Sequence, residues 1–516
     1  MSTATSSVAA GQGSPSGESS QSGTLGDAGA RGTGITLAVQ AARAVLQFGS
    51  IVALARLLTP EDFGLVAMVA AIIGIADLIR DFGLSLATMR APSLSAGERT
   101  NLFWANLGLG FACTVVAIAA TPLIVAGYGE QRLAPIVFAL ATVFTISGFT
   151  TQFRAGLARD MRFKALGAVD ITAQVISIAA GVGLAVLGFG VWALVASQIA
   201  NAVVGAVMCV ALGGWWPAWP RRDVSIRSFL SFGGGVFGTQ SITYVTKNID
   251  NVAIGAALGA TPLGLYSRAY QLMIMPIKQI DGPLTQVALP VLGRVQHEDG
   301  TFVRYLTKAQ LVACYITANI FAVAIGLATP IILLLFGEDW LEIVPIFMAL
   351  AVGGIFRSVG QVAWWAYLAR GASGALLRQR LVVGPLVVAL ILGGLHWGVV
   401  GVAVGQSVGA FLAWLIAVWH VGRVTQLNTR PLITNAARTL LLVAVPVGAA
   451  AYLGTLLDVP TLLQIAAGTT FAALYLAAAW LVVPFVRADL GFTLSFGWRA
   501  LGLRSRRPAP AAAQPA

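Results

Sequence analysis

The stretch RLLTPEDFGLVAMVAAIIGIADLIRDFGLSLATMR, from Arg56 to Arg90, decides the fold class of this chain. It is largely apolar from Phe63 to Met89, yet Asp77, Arg80 and Asp81 lie near its middle. A helix of about 20 apolar residues is long enough to cross a lipid bilayer. The stretch therefore predicts a membrane-spanning helix that carries three charged side chains at membrane depth.

The composition of the whole chain agrees with a membrane protein. Of its 516 residues, 57% are hydrophobic and 10% are charged, whereas soluble domains carry about 25% charged residues. The three cysteines, Cys113, Cys209 and Cys314, fall inside apolar runs with no CxxC or paired spacing. We therefore expect an all-α polytopic membrane protein without disulfides or a metal site.

Apolar runs separated by turn and charge clusters predict fourteen spans. They are placed near residues 33–55, 63–88, 101–127, 133–153, 166–187, 190–212, 228–257, 265–292, 307–335, 341–368, 376–397, 399–420, 432–455 and 461–486. Cytoplasmic loops are enriched in Lys and Arg, and every second loop here, with both tails, is rich in them. The other loops hold only Arg56, Arg132 and Arg268. This asymmetry predicts both termini in the cytoplasm, and it explains the formal net charge of +12 without a nucleic-acid partner.

The predicted spans divide the chain into six regions. They are a disordered, Ser- and Gly-rich cytoplasmic tail (1–32), an N-lobe (33–212), a cytoplasmic linker (213–227), a C-lobe (228–420), two further helices (421–486) and a basic cytoplasmic tail (487–516). The first region lacks the basic start and short apolar core of a cleaved signal peptide. We therefore expect the first span to be retained.

A shift of about 200 residues brings similar stretches into register. LLTPEDFGL (57–65) lies against LGATPLGL (258–265), with Gly64 on Gly264, and GVWALVASQ (190–198) meets GVVGVAVGQ (398–406). An even number of spans per repeat gives both copies the same orientation. We therefore predict two six-helix lobes related by a pseudo-two-fold axis along the membrane normal, plus two C-terminal helices.

Charged side chains inside the predicted spans need partners or water. Each costs about 2.5–3.5 kcal/mol at the bilayer centre, so the nine that we identify would cost roughly 20–30 kcal/mol if they faced lipid. That exceeds the net stability of a typical protein, about 5–15 kcal/mol. Polar residues recur at intervals of three and four along the first, second, seventh and eighth helices, so each has one polar face. We therefore predict a hydrated central cavity between the lobes.

The candidate site residues fall into three groups. The predicted substrate-binding cations are Arg43, Lys247, Lys278 and Arg357. The acids predicted to couple transport to an ion gradient, or to serve the structure, are Asp77, Asp81, Asp250 and Asp281. The other polar residues predicted in the cavity are Arg80, Gln40, Gln47, Gln240 and Tyr244.

An alternative for some of these charges is an ion pair within one helix. Asp77 with Arg80, Lys247 with Asp250, and Lys278 with Asp281 are each three residues apart. Arg43 and Arg357 have no acid within four positions, so each needs a partner on another helix or a ligand. Because five cations face four acids inside the spans, the balance favours an anionic substrate.

Three stretches carry a resemblance to a known family. They are LLTPEDFGLVAM (57–68), FWANLGLG (103–110) and NIDNVAIGAALGATPLGLYSRAYQLMIMPIKQIDGPLTQVALPVLGR (248–294). Over residues 33–490 the chain resembles the polysaccharide flippases of the multidrug/oligosaccharidyl-lipid/polysaccharide exporter superfamily, in the branch that exports exopolysaccharide or O-antigen repeat units.

The resemblance implies a transporter of the bacterial cytoplasmic membrane that is not an enzyme. It implies that undecaprenyl-pyrophosphate-linked oligosaccharides move from the inner to the outer leaflet by alternating access of two lobes around a cationic cavity. The expected partners are this lipid-linked substrate, the bilayer and other polysaccharide assembly proteins. No cofactor is expected, and Na⁺ or H⁺ is the expected coupling ion.

Two other functions stay open. A multidrug cation antiporter of the same superfamily would favour acidic and aromatic residues over the cationic excess of this cavity. A polysaccharide polymerase would carry a sizeable external loop with catalytic residues, whereas the external loops predicted here are short. His297, His396 and His420 are scattered without metal or general-base spacing.

Overall fold

The structure is a computed structural model of the chain, and it describes residues 39–81, 84–85, 88 and 94–500. Within these ranges the side chains of 72–73, 75–81, 232–236, 238–243, 245–247 and 496–500 are not described. Five predicted site residues therefore have side chains outside the described set, namely Asp77, Arg80, Asp81, Gln240 and Lys247.

The described chain is built from helices. The N-terminal half contains α1 (39–57), α2 (Pro60–Asp81), α3 (Ala96–Ala119), α4 (Thr121–Tyr128), α5 (Leu133–Arg159), α6 (Phe163–Val186) and α7 (Val191–Gly213). The second half contains α8 (Arg227–Leu258), α9 (Ala260–Arg294), α10 (Asp299–Gly326), α11 (Ala328–Leu335), α12 (Ile343–Ala369), α13 (Ser373–Gly394) and α14 (Gly398–Thr425).

Four more helices follow these two halves. They are α15 (Arg430–Thr439), α16 (Val445–Leu453), α17 (Thr461–Val482) and α18 (Pro484–Ala500). A π-helical turn, Leu440–Ala444, joins α15 to α16.

The third span of each half is broken at the same place. The first turns of α4 and α11 contain Thr-Pro pairs 208 residues apart, Thr121-Pro122 and Thr329-Pro330, and proline interrupts the hydrogen-bond ladder of the preceding helix. Each helix is followed within two residues by a glycine with positive φ, Gly129 (φ 68°) after Tyr128 and Gly337 (φ 98°) after Leu335, a conformation that glycine adopts without steric cost. These matched breaks extend the repeat seen in the sequence.

Both halves also pack their helices in the same order. In the first half, α5 contacts α2, α3 and α7, and α6 packs on α7. In the second half, α12 contacts the corresponding helices α9, α10 and α14, and α13 packs on α14. The symmetry axis that relates the halves stays a prediction.

Nine helical stretches in the described part of the chain are long and apolar enough to cross a membrane, and one of them, Ser373–Thr425, joins α13 and α14. Each of the fourteen predicted spans overlaps a described helix, or two consecutive ones, and residues 33–38 of the first span and 82–83 and 86–87 of the second lie outside the described residues. The chain is therefore a multi-pass membrane protein. The number of crossings and the region boundaries stay predictions.

The two halves cross where α2 and α9 begin. A Cβ atom on Gly64 would lie 1.8 Å from the carbonyl oxygen of Ala260, and a Cβ atom on Gly264 would lie 1.8 Å from that of Pro60. Only glycine allows backbones to approach this closely. The two glycines that the repeat aligns therefore meet at the contact between the lobes.

A second contact closes the same side of the molecule. Arg56 at the end of α1 donates hydrogen bonds to the carbonyl oxygens of three residues at the end of α11, Leu333, Leu334 and Leu335. Nearby, Trp340 Nε1 donates to the Ala55 carbonyl oxygen at 2.9 Å. Loop charge predicts this side to be external, so the lobes are joined there.

Candidate functional site

A cavity of about 470 Å³ lies between the two lobes. Its walls come from α1, α2, α6, α7, α8 and α9. The polar residues that line it are Gln47, Ser50, Gln174, Ser197, Gln198, Tyr244, Asn248, Asn251, Ser267, Arg268 and Gln271. This lining can offer hydrogen bonds to a polar ligand from both lobes at once.

Arg268 is the cation among the described residues that line this cavity. Its guanidinium lies over the Phe63 ring at 4.5 Å. Its buried Nε, and the buried Oε1 of Gln271, have no hydrogen-bond partner among the described residues. Buried polar atoms are rarely left without partners, so these two atoms indicate a place for water or a ligand.

Arg268 was counted with the cations of the external loops, although the predicted span 265–292 contains it, and the structure places it inside α9. Gly259, at φ 92°, ends the preceding helix, so α9 begins at Ala260 and already includes Arg268. The spacing offers a way to find it, because Arg268 precedes Gln271 by three residues and shares its helix face.

Two of the predicted cavity residues line this space. Gln47 of α1 does so from the N-lobe, and Tyr244 of α8 does so from the C-lobe. The Tyr244 hydroxyl lies 3.1 Å from the Ala70 carbonyl oxygen and 3.2 Å from that of Ala71. It therefore donates a hydrogen bond to α2 across the boundary between the lobes.

A second cavity, of about 410 Å³, lies within the N-lobe and contains a predicted cation. Arg43 Nη1 lies 2.8 Å from one carboxylate oxygen of Asp170, and Arg154 Nη2 lies 2.6 Å from the other. Asp170 is mostly buried, whereas both arginine side chains are about half exposed. Arg43 thus has its partner on another helix, one of the two possibilities that the sequence left open.

Asp170 and Arg154 are absent from the predicted site. Arg154 was assigned to a loop because the apolar run ends near residue 153, but α5 continues to Arg159. Asp170 lies inside a predicted span and should have been counted with the other buried charges. Its signal is a polar stripe on α6, where Asp170, Gln174 and Ser177 recur at intervals of four and three.

Among the described side chains, the N-lobe cluster carries a surplus of positive charge. Two guanidinium groups share one carboxylate, and each guanidinium has five N–H donors, so most of these donors have no partner among the described residues and are available to water or an anion. Thr150, Gln174 and Asn201 line the same cavity. Gln174 also lines the cavity between the lobes, so the two spaces adjoin.

Another polar cluster lies within the C-lobe around Arg357. Arg357 Nη1 donates to the Tyr270 hydroxyl at 2.8 Å, and the Tyr270 ring stacks on Tyr266 with centroids 6.1 Å apart. The Tyr266 hydroxyl donates to Asp250 Oδ2 at 2.7 Å, and the Asn251 N–H donates to Asp250 Oδ1 at 2.9 Å. Asp250 is only 3% exposed, so its carboxyl group depends on these donors.

Asp281 lies on the following helix and is half-buried. Ser358, the neighbour of Arg357, donates to Asp281 Oδ1 at 3.0 Å. Lys278 is exposed, and the ion pairs between described side chains do not include one between Lys278 and Asp281. The proposed within-helix pair is therefore not formed here, and the other two such pairs involve side chains outside the described residues.

The structure thus brings the predicted residues together in three places. Gln47 and Tyr244 line the cavity between the lobes, Arg43 lines the N-lobe cavity, and Arg357 lies beside Asp250 and Asp281 in the C-lobe. Gln40 is exposed at the start of the described part of α1 and Lys278 is exposed on α9, and neither is among the described residues that line the two cavities.

The sequence matches a family described as "Polysaccharide biosynthesis protein" over residues 53–345, more than half of the chain. One relative is the lipopolysaccharide biosynthesis protein WzxC of Escherichia coli (strain K12), which is 26% identical over 379 residues, covering 71% of this chain and 76% of the relative. Another is the succinoglycan biosynthesis transport protein ExoT of Rhizobium meliloti (strain 1021), 25% identical, covering 67% of this chain and 73% of the relative.

Solved structures share the fold at lower identity. The lipid II flippase MurJ in an inward closed conformation matches with a TM-score of 0.70 and 14% identity, over 91% of this chain and 99% of MurJ. An inward-facing MATE family multidrug resistance transporter of the MOP superfamily matches with a TM-score of 0.59 and 17% identity, over 74% of this chain and 95% of the transporter. The chain therefore belongs to the polysaccharide biosynthesis protein family and has the fold of the MOP superfamily transporters.

Proposed function

We propose that the protein is a flippase that moves a polyprenyl-diphosphate-linked oligosaccharide across the bacterial cytoplasmic membrane, and that it is not an enzyme. Relatives named for lipopolysaccharide biosynthesis and for succinoglycan transport support the substrate class. The observation that carries the proposal is the cavity between the lobes, with Arg268 Nε and Gln271 Oε1 buried and unpartnered among the described residues.

The chemistry of such a substrate fits these cavities. A diphosphate carries negative charge and a sugar carries many hydroxyl groups, so neither crosses hydrocarbon unaided. Arginine binds phosphate oxygens through two parallel hydrogen bonds, and Gln or Asn side chains can bind sugar hydroxyl groups. The polyprenyl chain needs no such help because it is soluble in the bilayer.

The two adjoining cavities suggest a route for the head group. Arg43 lies near the start of α1, on the side that loop charge predicts to be cytoplasmic, whereas Arg268 lies near the start of α9 on the opposite side. Gln174 lines both cavities. The diphosphate would first meet Arg43 and Arg154 and then move to Arg268, within reach of hydrogen bonds throughout.

Alternating access would require the closure near Gly64 and Gly264 to open. In this conformation the lobes are joined at the predicted external side, so the substrate would enter from the cytoplasm. Release to the outer leaflet would then require α2 and α9 to separate, together with the contacts of Arg56 and Trp340.

We also propose that Asp250 or Asp281 couples transport to a Na⁺ or H⁺ gradient. Neither carboxylate forms an ion pair with any of the described side chains. A carboxylate away from water is costly unless it is protonated or bound to a cation. Binding and release of that cation would change the charge of the C-lobe cluster around Arg357.

The test is a deletion strain in which the side of the membrane holding the lipid-linked oligosaccharide is determined. Loss of a flippase leaves this intermediate in the inner leaflet, whereas loss of a polymerase lets it accumulate in the outer leaflet. Complementation with the wild type or Arg268→Lys should restore export, fully or in part, and Arg268→Gln should restore little. Arg378→Gln, which removes an exposed charge elsewhere, is the control. Accumulation in the outer leaflet would refute the flippase.

A further inference from the structure

The segment between the lobes, residues 214–226, is fixed to the N-lobe in a non-helical conformation. Asn101 Nδ2 donates to the carbonyl oxygens of Arg221 at 2.7 Å and Val224 at 2.8 Å, and Asn101 Oδ1 accepts from the Arg221 N–H at 2.8 Å. Trp104 Nε1 donates to the Ala218 carbonyl oxygen at 2.9 Å. These bonds are made by main-chain groups of the segment and do not use its side chains.

Those side chains form an exposed aromatic and cationic surface. Trp216 is 67% exposed and Trp219 is 84% exposed, although Trp219 stacks on Trp104 with an interplanar angle of 9°. Arg221 and Arg222 follow directly and are both exposed. The segment therefore presents two indole rings and two guanidinium groups on one fixed backbone.

The neighbouring loop between α5 and α6 adds the same chemistry. Met161 and Phe163 are exposed apolar side chains, and they alternate with the exposed cations Arg162 and Lys164. Arg162 Nη1 donates to the Leu212 carbonyl oxygen at 2.8 Å, which places this loop next to the start of the segment. We call residues 161–164 and 216–222 together the linker surface.

The linker surface needs a partner that is apolar and anionic at once. Two exposed acids, Asp160 and Asp223, border it, against the four cations Arg162, Lys164, Arg221 and Arg222, so its balance is positive. Tryptophan favours the level of the lipid headgroups, where the ring meets acyl chains and the N–H meets water. Basic side chains at that level attract anionic lipid.

We propose that the linker surface is a binding site for anionic phospholipid. The phosphate of the lipid would lie at Arg221 and Arg222, and the part of its acyl chains next to the headgroup would lie against Trp216 and Trp219. This lipid is distinct from the transported substrate, and it would hold the segment between the lobes at the membrane surface.

The test measures lipid binding to the detergent-purified full chain by native mass spectrometry, with dioleoyl-phosphatidylglycerol compared with dioleoyl-phosphatidylcholine. The first variant is Arg221→Gln/Arg222→Gln, and its control is Arg378→Gln/Arg430→Gln, which removes the same charge from exposed positions on α13 and α15. A basic residue near an anionic surface contributes about 1 kcal/mol, about fivefold in affinity. The first variant should therefore bind phosphatidylglycerol about 25-fold more weakly, and the control should bind it as the wild type does.

A second variant, Trp216→Ala/Trp219→Ala, separates the apolar from the charged contribution. It should weaken the binding of both lipids, whereas the arginine variant should lose only the preference for phosphatidylglycerol. All three variants change exposed side chains, and an unchanged melting temperature without added lipid establishes that they are folded. Equal binding of both lipids by the wild type would overturn the proposal and would favour a protein partner. An equal loss of phosphatidylglycerol binding in the arginine variant and in its control would do the same.

Discussion

Placing a methyl group at Gly64 or Gly264 should prevent the lobes from closing on the predicted external side. Each glycine lies where α2 and α9 cross, and each would direct its Cβ atom at a carbonyl oxygen of the other helix, that of Ala260 or Pro60. We therefore expect Gly64→Ala and Gly264→Ala to favour conformations in which these helices are separated.

The size of the effect follows from the distances. A Cβ atom would lie 1.8 Å from the opposing oxygen, and ordinary contact begins at 3.4 Å, so the helices would have to separate by about 1.6 Å. Overpacking of this kind costs about 1–3 kcal/mol, which changes a conformational equilibrium about 5- to 150-fold. The higher helix propensity of alanine, about 1 kcal/mol over glycine, acts on both conformations and largely cancels.

Cysteine labelling of the cavity between the lobes measures this equilibrium. Ser50 lines that cavity, and the three native cysteines are buried, so Ser50→Cys provides one reporter thiol. A membrane-impermeant maleimide added outside the cells should label it slowly in the Ser50→Cys background. Adding Gly64→Ala or Gly264→Ala should raise the labelling rate by about 5- to 150-fold, and polysaccharide export should fall.

The double variant and a matched control make this prediction sharper. One separation of the helices relieves both clashes, so Gly64→Ala/Gly264→Ala should have much less than the summed effect. Gly108 is a helical glycine with open space where a Cβ atom would be, and Gly108→Ala should label and export like the wild type. Unchanged labelling in both single variants would refute the crossing as the external closure.

Three further predictions concern single side chains. Arg357→Gln leaves the Tyr270 hydroxyl without its cationic donor, so it should reduce polysaccharide export at native expression levels while the protein stays folded. Arg357→Lys should retain part of the export activity. Normal export by the Gln variant would remove Arg357 from the mechanism. Asp170→Asn should lower the melting temperature of the purified protein more than Asp170→Glu does. The free energy of unfolding should fall by less than the about 3–5 kcal/mol of a fully buried pair, because the arginine partners of Asp170 are half exposed. Equal melting temperatures of the two variants would contradict this. Hydrogen bonds from Arg132 lower the pKa of Glu130 in the α4–α5 loop from its ordinary 4.5 to about 2. The small contribution of Glu130 to stability is therefore complete above pH 4.5 and is lost as the pH falls through 2. Glu130→Gln should lower the melting temperature at pH 7, and this difference from the wild type should disappear below pH 2.

The positions of the helices could be predicted from the sequence, but several of their ends could not. An apolar run indicates where a helix crosses lipid, whereas the end of a helix depends on hydrogen bonding and caps. α5 continues past the apolar run to include Arg154, which was therefore assigned to a loop. Arg268 lies at the start of the predicted span 265–292 and was nevertheless counted with the loop charges, whereas α9 already begins at Ala260. Each arginine lines a cavity.

The partners of the buried charges could not be predicted from the sequence, because they lie on other helices. Arg43 pairs with Asp170, which is 127 residues away, and Arg357 bonds to Tyr270 at a separation of 87. Spacing within one helix identifies neighbours three or four residues apart, but contacts between helices depend on how the lobes pack. The sequence could therefore require a partner for Arg43 without naming it.

The contact between α2 and α9 at their crossing is reciprocal. A shift of 200 residues takes Gly64 to Gly264 and Pro60 to Ala260, and the structure pairs Gly64 with Ala260 and Gly264 with Pro60. Such reciprocal pairing is what a two-fold axis between two equivalent surfaces produces. The axis would pass between α2 and α9, at the point where the lobes must separate.

The chemistry on the two sides of this axis differs. The N-lobe holds two arginines around one carboxylate, whereas the C-lobe holds two acids, Asp250 and Asp281, that form no ion pair with the described side chains. Because the lobes are equivalent in structure, both can rotate about the crossing of α2 and α9. Because their polar clusters differ, a different ligand can bind to each lobe and change its conformational equilibrium. A ligand does so only if its affinity differs between the two conformations. On the proposed function, the anionic head group would act on the N-lobe arginines and the coupling cation on the C-lobe acids, and the crossing at Gly64 and Gly264 is the element that both would have to move.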